Sequence, residues 1–193
     1  MFDRHAARIN RYLDEWQSVG FRSPCMYHNL EWIHALNISY DASTFDFDPF
    51  EPQPDGAGTI FPFMVEGSDG HRYVELPYTL PQDFTLFVLF RENDIGIWKK
   101  KLNWVAEHGG MALVNVHPDY MNFGETKRTC EEYPARLYRD LLDFVKKEHG
   151  GSYWHVLPRD LAEFWRGRYR SKHEKRASWP ARFDEMRKVG AYV

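Results

Sequence analysis

Residues 111–116, Met-Ala-Leu-Val-Asn-Val, form a near-continuous apolar run without polar alternation. A strand of this kind is buried on both faces, as strands are inside parallel sheets. Its neighbours agree. Asp94 can cap a helix running to His108, with Ile97, Trp98, Leu102, Val105 and Ala106 facing inward and Gly109-Gly110 ending it. Downstream, the pattern predicts a helix over 133–148 with Pro134 near its first turn, a strand over 153–156 and a helix over 158–169. The second half therefore reads helix, strand, helix, strand, helix, the alternation of a parallel sheet or a (β/α) barrel. In such folds functional residues collect where strands end at their C-terminal edge.

The first half is less regular. Ile9, Leu13 and Trp16 fall at i, i+4 and i+7, which predicts an amphipathic N-terminal helix. A short strand follows over 19–24, ended by Pro24. A helix over 28–36 has Asn29 as its cap, and a strand covers 38–41. Residues 44–58 are loop. Residues 60–65 and 71–76 read as two strands joined through Glu66-Gly67-Ser68-Asp69-Gly70. Phe84–Phe90 (FTLFVLF) is apolar and rich in strand formers.

Composition narrows the function classes. The 193 residues are 43% hydrophobic and 17% aromatic, enough apolar mass for one sizeable core and too much for a disordered chain. A net charge of -3 argues against general nucleic-acid binding, since phosphate contact favours a strong positive balance. The charge is uneven. Residues 166–193 hold nine Lys/Arg against three acids, a local +6, which leaves -9 on residues 1–165. We read residues 1–165 as the folded body and 166–193 as a basic helical tail, solvated and lying on that acidic body. Two cysteines, Cys25 and Cys130, make no disulfide framework and point to a reducing, cytoplasmic location. No window reaches the roughly 18 apolar residues of a membrane span.

Few residues have the placement for chemistry. His117 directly follows the 111–116 strand, where an imidazole suits acid/base work near neutral pH, or caps the strand through a carbonyl. Asp119 can orient that ring or cap the next turn. Arg22 closes the first strand and can bind a carboxylate through paired hydrogen bonds or form a structural ion pair. Asp41 closes the strand ISYD, to orient a positive group or to serve a turn. The acids Asp46, Asp48, Glu51 and Asp55 lack the calcium-loop spacing, and Pro49, Pro52 and Pro54 stiffen the segment, so it reads as a solvated loop. The chain has no H-x-x-H, C-x-x-C, glycine-rich phosphate loop or G-x-S-x-G.

Taken in order, Gly20-Phe21-Arg22-Ser23-Pro24, Tyr40-Asp41-Ala42-Ser43-Thr44-Phe45-Asp46 and Leu113-Val114-Asn115-Val116-His117-Pro118 resemble the polysaccharide deacetylases of carbohydrate esterase family 4. The resemblance covers roughly residues 1–165. It implies a distorted (β/α)7-type barrel that removes N-acetyl groups from amino sugars. It also implies a divalent, zinc-like metal on an Asp-His-His set that activates water. His117 matches the histidine that protonates the leaving amine, Arg22 the arginine that supports the catalytic aspartate, and Asp41 the aspartate that tunes the histidine. The flanking Pro24, Tyr40 and Asp119 would line the substrate.

The departures matter as much. The family's T-F-D-D and H-x-x-x-H motifs, which carry the base and the metal ligands, precede the F-R-S-P segment. Here only 21 residues precede Arg22 and neither motif is among them. Thr44-Phe45-Asp46-Phe47-Asp48 imitates the first motif but follows F-R-S-P. The expectation is thus the C-terminal portion of a deacetylase, its barrel incomplete at the N-terminus and its metal ligands absent. A second reading is a non-catalytic carbohydrate-binding or scaffold domain, its exposed aromatic rings stacking on sugars. A third is an inactive chain whose open strand edges are covered by self-association.

Overall fold

A computed structural model describes residues 2–53, 55–67, 70–124 and 129–174. These divide into two compact units, residues 2–77 with 156–174, and residues 78–155.

The first unit is built on a four-stranded sheet. Its strands are β1 (Gly20–Phe21), β2 (Tyr40–Asp41), β3 (Phe63–Glu66) and β4 (Arg72–Glu75), in the order β1-β2-β4-β3. β1, β2 and β4 run parallel in register Gly20↔Tyr40 and Tyr40↔Val74, whereas β3 pairs antiparallel with β4. The expected hairpin is present. Gly70, at φ 80°, turns the chain, and Arg72 Nη2 meets Glu66 Oε1 at 2.6 Å across the strand ends. The sheet is open among the described residues.

Three helices accompany this sheet, one before it in sequence, one between β1 and β2, and one after it. α1 (Phe2–Glu15) contributes Ala6 and Leu13 to a core shared with Ile33, Leu36, Ile38 and Tyr73; Ile9 packs at its margin, while Trp16 is exposed. α2 (Leu30–Ile33) is a single turn, capped as expected by the Asn29 side chain on the Trp32 amide. α5 (Pro158–Glu174) crosses the boundary expected at 165/166. Of the basic tail, residues 175–193 lie outside the described residues. Arg166 Nη1 donates to Ser39 Oγ at 3.2 Å.

The acidic loop is packed rather than solvated. Asp46, Asp48 and Glu51 are buried, as is Phe45, and of the four acids only Asp55 is exposed. The backbone explains this. Ala57 N donates to Phe45 O and Gly58 N to Asp46 O, closing the loop on itself, while Asp48 Oδ1 accepts from Phe50 N in an Asx turn.

The second unit has α3 (Gly96–Glu107) and α4 (Arg136–His149), with Trp98, Leu102, Leu137 and Leu141 meeting in one core. α3 follows the expected pattern, its entry held by Asp94 Oδ1 on Gly96 N, except that Ala106 is exposed. Four readings of the pattern are corrected. Phe84–Leu89 is a π-helix, not a strand; Phe90 N reaches Thr85 O across five residues. The winding buries four consecutive residues, Thr85–Val88, and this packing overrides their strand propensity.

Residues 111–116 are extended but half-buried. They run beside residues 79–83, joined by a single parallel bridge between Leu80 and Val114, and no second strand covers their other edge among the described residues. Residues 153–156 make no ladder. α4 starts at Arg136 because Tyr133–Pro134 (β6) pairs instead with Met121–Asn122 (β5).

Candidate active site

In the second unit three segments converge on one carboxylate. Asp83 precedes the π-helix, has no solvent exposure, and accepts four hydrogen bonds. Its Oδ1 takes Phe84 N at 2.8 Å and His117 Nδ1 at 2.7 Å. Its Oδ2 takes His117 N at 2.7 Å and the Tyr133 hydroxyl at 2.9 Å. An ionised carboxylate can only accept, so His117 Nδ1 carries a proton, and in the neutral imidazole Nε2 then presents the lone pair. The His117 side chain is 37% exposed, and Nε2 makes no hydrogen bond among the described residues. Tyr120 lies beside the imidazole, ring centres 5.3 Å apart, and Phe84 lies 5.2 Å beyond Tyr120.

This geometry assigns the histidine's partner. Asp83 holds the imidazole, and Asp119 is exposed on the short turn Pro118–Tyr120. Burial, then the charge of Asp83, pushes the Tyr133 hydroxyl up, so it stays a donor at neutral pH.

The other candidates belong to the first unit, at the C-terminal ends of its parallel strands. Arg22 follows β1 and its Nε donates to Ala42 O at 2.9 Å. Pro24 opens a 3₁₀ turn (Pro24–Met26) whose Cys25 and Met26 both hold positive φ, 52° and 54°. Such backbone strain in non-glycine residues concentrates at functional sites. Tyr40 packs its ring over Gly20; burial raises its hydroxyl, with Arg159 and Arg22 acting against the shift.

Asp41 ends β2 and Glu75 ends β4, adjacent in register and both fully buried. Ser43 Oγ donates to Asp41 Oδ1 at 2.8 Å, and Thr44 Oγ1 donates to Glu75 Oε1 at 2.7 Å. The amides of Ser43 and Thr44 add bonds to Glu75 Oε1 at 3.2 and 3.1 Å. Burial, then the charge of Asp41, pushes Glu75 up to about 9; burial raises Asp41 as well. Both shifts favour a proton shared within the pair, and Glu75 Oε2 is buried without a hydrogen-bond partner among the described residues. Glu75 was absent from the sequence reading, although in β4 it shares a face with the buried Tyr73, two residues away.

The metal implied by the resemblance needs three converging ligands. Among the described residues no group of three His, Cys, Asp or Glu side chains is placed to hold an ion. The buried Asp41–Glu75 pair offers two carboxylates without a third ligand and is bonded to Ser43 and Thr44, so these residues do not fit such an ion. Cys25 and Cys130 are exposed free thiols. No described helix is long and apolar enough to cross a membrane. No family model, curated protein or solved structure matches the chain.

Proposed function

We propose that the chain is a deacetylase-like hydrolase acting on the amide of N-acetylated amino sugars, with His117 as its acid/base. The observation that carries the reading is the buried Asp83 carboxylate on His117 Nδ1, which leaves Nε2 accessible. The F-R-S-P and L-V-N-V-H-P resemblance supplies the substrate class. Nε2 takes a proton from a water as its oxygen attacks the acetyl carbonyl carbon. The imidazolium, stabilised by Asp83, then gives that proton to the sugar nitrogen as the C–N bond breaks, yielding acetate and free amine. Tyr120 offers a ring against the sugar beside Nε2. A (β/α)7-type barrel belongs to the same proposal.

The test is acetate release from an N-acetylglucosamine oligomer by the chain and by its His117→Ala variant. Release that falls about 10²-fold or more in the variant supports the reading. Equal release by both overturns His117, and no release by the parent chain overturns hydrolysis.

A second reading, a non-catalytic carbohydrate-binding domain, is favoured by the exposed rings of Tyr27, Trp32, Phe47 and Phe50. Gln53 ties their segments together, accepting from His28 N and donating to His28 O at 3.0 Å. It predicts oligomer binding that perturbs these rings without product.

A further inference from the structure

We propose that Tyr133 is a positioning residue for His117, acting through Asp83 to hold the imidazole in its Nδ1–H tautomer. The inference rests on the acid/base reading of His117 and adds a third member to it. Tyr133 and the His117 segment are joined by backbone as well as by the carboxylate. β6 pairs with β5 in register Met121↔Tyr133, four residues past the histidine. The Tyr133 ring is buried against Phe87, centres 4.8 Å apart, within the π-helix that Asp83 caps. Asp83, His117 and Tyr133 thus sit on three segments locked to one another.

The division of donors gives the hydroxyl its task. Each Asp83 oxygen takes one backbone amide, Phe84 N on Oδ1 and His117 N on Oδ2. Those two bonds fix the plane of the carboxylate but leave the imidazole as the only side-chain donor on Oδ1. The Tyr133 hydroxyl balances it on Oδ2 at 2.9 Å. Without it, Oδ2 has an open lone pair in a dry site, and the carboxylate gains by tilting toward any other donor. A buried tyrosine whose hydroxyl merely satisfies itself would accept a neutral carbonyl as partner. This one uses the single carboxylate that faces the candidate acid/base.

The experiment is long-range ¹H–¹⁵N correlation spectroscopy of the imidazoles in the full chain, with the His117 signals assigned by their loss in His117→Ala. The parent chain should show the Nδ1–H tautomer. Tyr133→Phe should lower the ratio of Nδ1–H to Nε2–H about tenfold, the scale of one charge-assisted hydrogen bond. Phe87→Leu, which loosens the same ring but keeps the hydroxyl, should leave the ratio unchanged. An unchanged ratio in Tyr133→Phe, or an equal shift in Phe87→Leu, overturns the positioning role. If Tyr133→Phe does not fold, Tyr133→4-aminophenylalanine keeps the ring with a weaker donor and should give an intermediate ratio; a parent-like ratio overturns the role. Acetate release separates the two readings. A shifted tautomer with no release by the parent chain removes the hydrolase and leaves the positioning. Release with kcat unaltered in a folded Tyr133→Phe chain removes the positioning alone.

Discussion

His117 Nδ1 lies 2.7 Å from Asp83 Oδ1, and the amide of the same histidine donates to Asp83 Oδ2, also at 2.7 Å. One carboxylate thereby fixes both the backbone and the ring of residue 117. The ring cannot turn over without breaking a charged hydrogen bond, and the residue cannot shift along the chain without breaking the other. Preorganisation of this kind places Nε2 before any substrate arrives, which is where acid/base catalysts gain their efficiency.

Asp83→Asn should cost about 1–3 kcal/mol of stability, because the amide nitrogen brings a donor to a site already supplied with donors. Four of them face this carboxylate: Phe84 N, His117 N, His117 Nδ1 and the Tyr133 hydroxyl. The imidazole loses its anionic acceptor, so acetate release should fall about 10²–10⁴-fold. Urea unfolding and a coupled acetate assay on the same preparation check both. A variant as stable and as active as the parent would remove Asp83 from the site.

What was legible in the sequence follows from chain-local signals. Arg22 and Asp41 stand at the ends of short apolar runs; Arg22 directly follows β1 and Asp41 closes β2. His117 was visible because it ends an apolar run and begins a proline turn. Asp83 was not, because it heads FTLFVLF, whose composition reads as a strand; only packing against Trp98 and Tyr133 decides for π winding. The partnership of Asp83 with His117 spans 34 residues, and no periodicity reports a pairing of that separation. Glu75 was obscured for the opposite reason, a charged residue at a hairpin end being ordinarily solvated. The burial of Asp46, Asp48 and Glu51 likewise depends on the loop closing on itself around Phe45, which composition does not record.

Gly20→Ala tests the packing of β1 on β2. A Cβ at Gly20 would fall 2.0 Å from Tyr40 Cζ, so the ring must leave its place. The expected cost is about 1–3 kcal/mol, the usual scale of overpacking. In a Tyr40→Ala background the added methyl meets no ring, and the cost should largely disappear. A double-mutant cycle by chemical denaturation measures the coupling, and additive effects would contradict this contact.

Trp98 separates packing from hydrogen bonding in the second unit. It has no solvent exposure, meets Phe87 edge-on at 4.9 Å, and its Nε1 donates to Pro81 O at 2.6 Å. Trp98→Phe keeps most of the packing but strips Pro81 O of its donor, for about 1–3 kcal/mol. Trp98→Ala should cost about 3–5 kcal/mol, with a cavity beside the π-helix. Urea midpoints of the two variants should therefore separate clearly. Coincident values would mean that the hydrogen bond, not the ring, carries the residue.

Glu75 makes the stability of the first unit depend on pH in an unusual direction for a carboxyl. In the folded chain burial and the neighbouring Asp41 push it up to about 9, against an ordinary value of 4.5. Between those values the folded state binds one proton more than the unfolded state. Stability should therefore be fully present below about pH 4.5 and decline as pH rises to about 9, with a limiting slope of about 1.4 kcal/mol per unit. Asp41, also raised by burial, contributes in the same direction. Glu75→Gln takes up no charge at any pH, and its amide oxygen can accept from Ser43 and Thr44 as Glu75 Oε1 does. The variant should lack Glu75's contribution to this decline and should overtake the parent in stability as pH rises. Urea midpoints of both chains at pH 6 and pH 9 measure the difference. Parallel pH dependence in the two chains would show that the folded state holds no proton at Glu75.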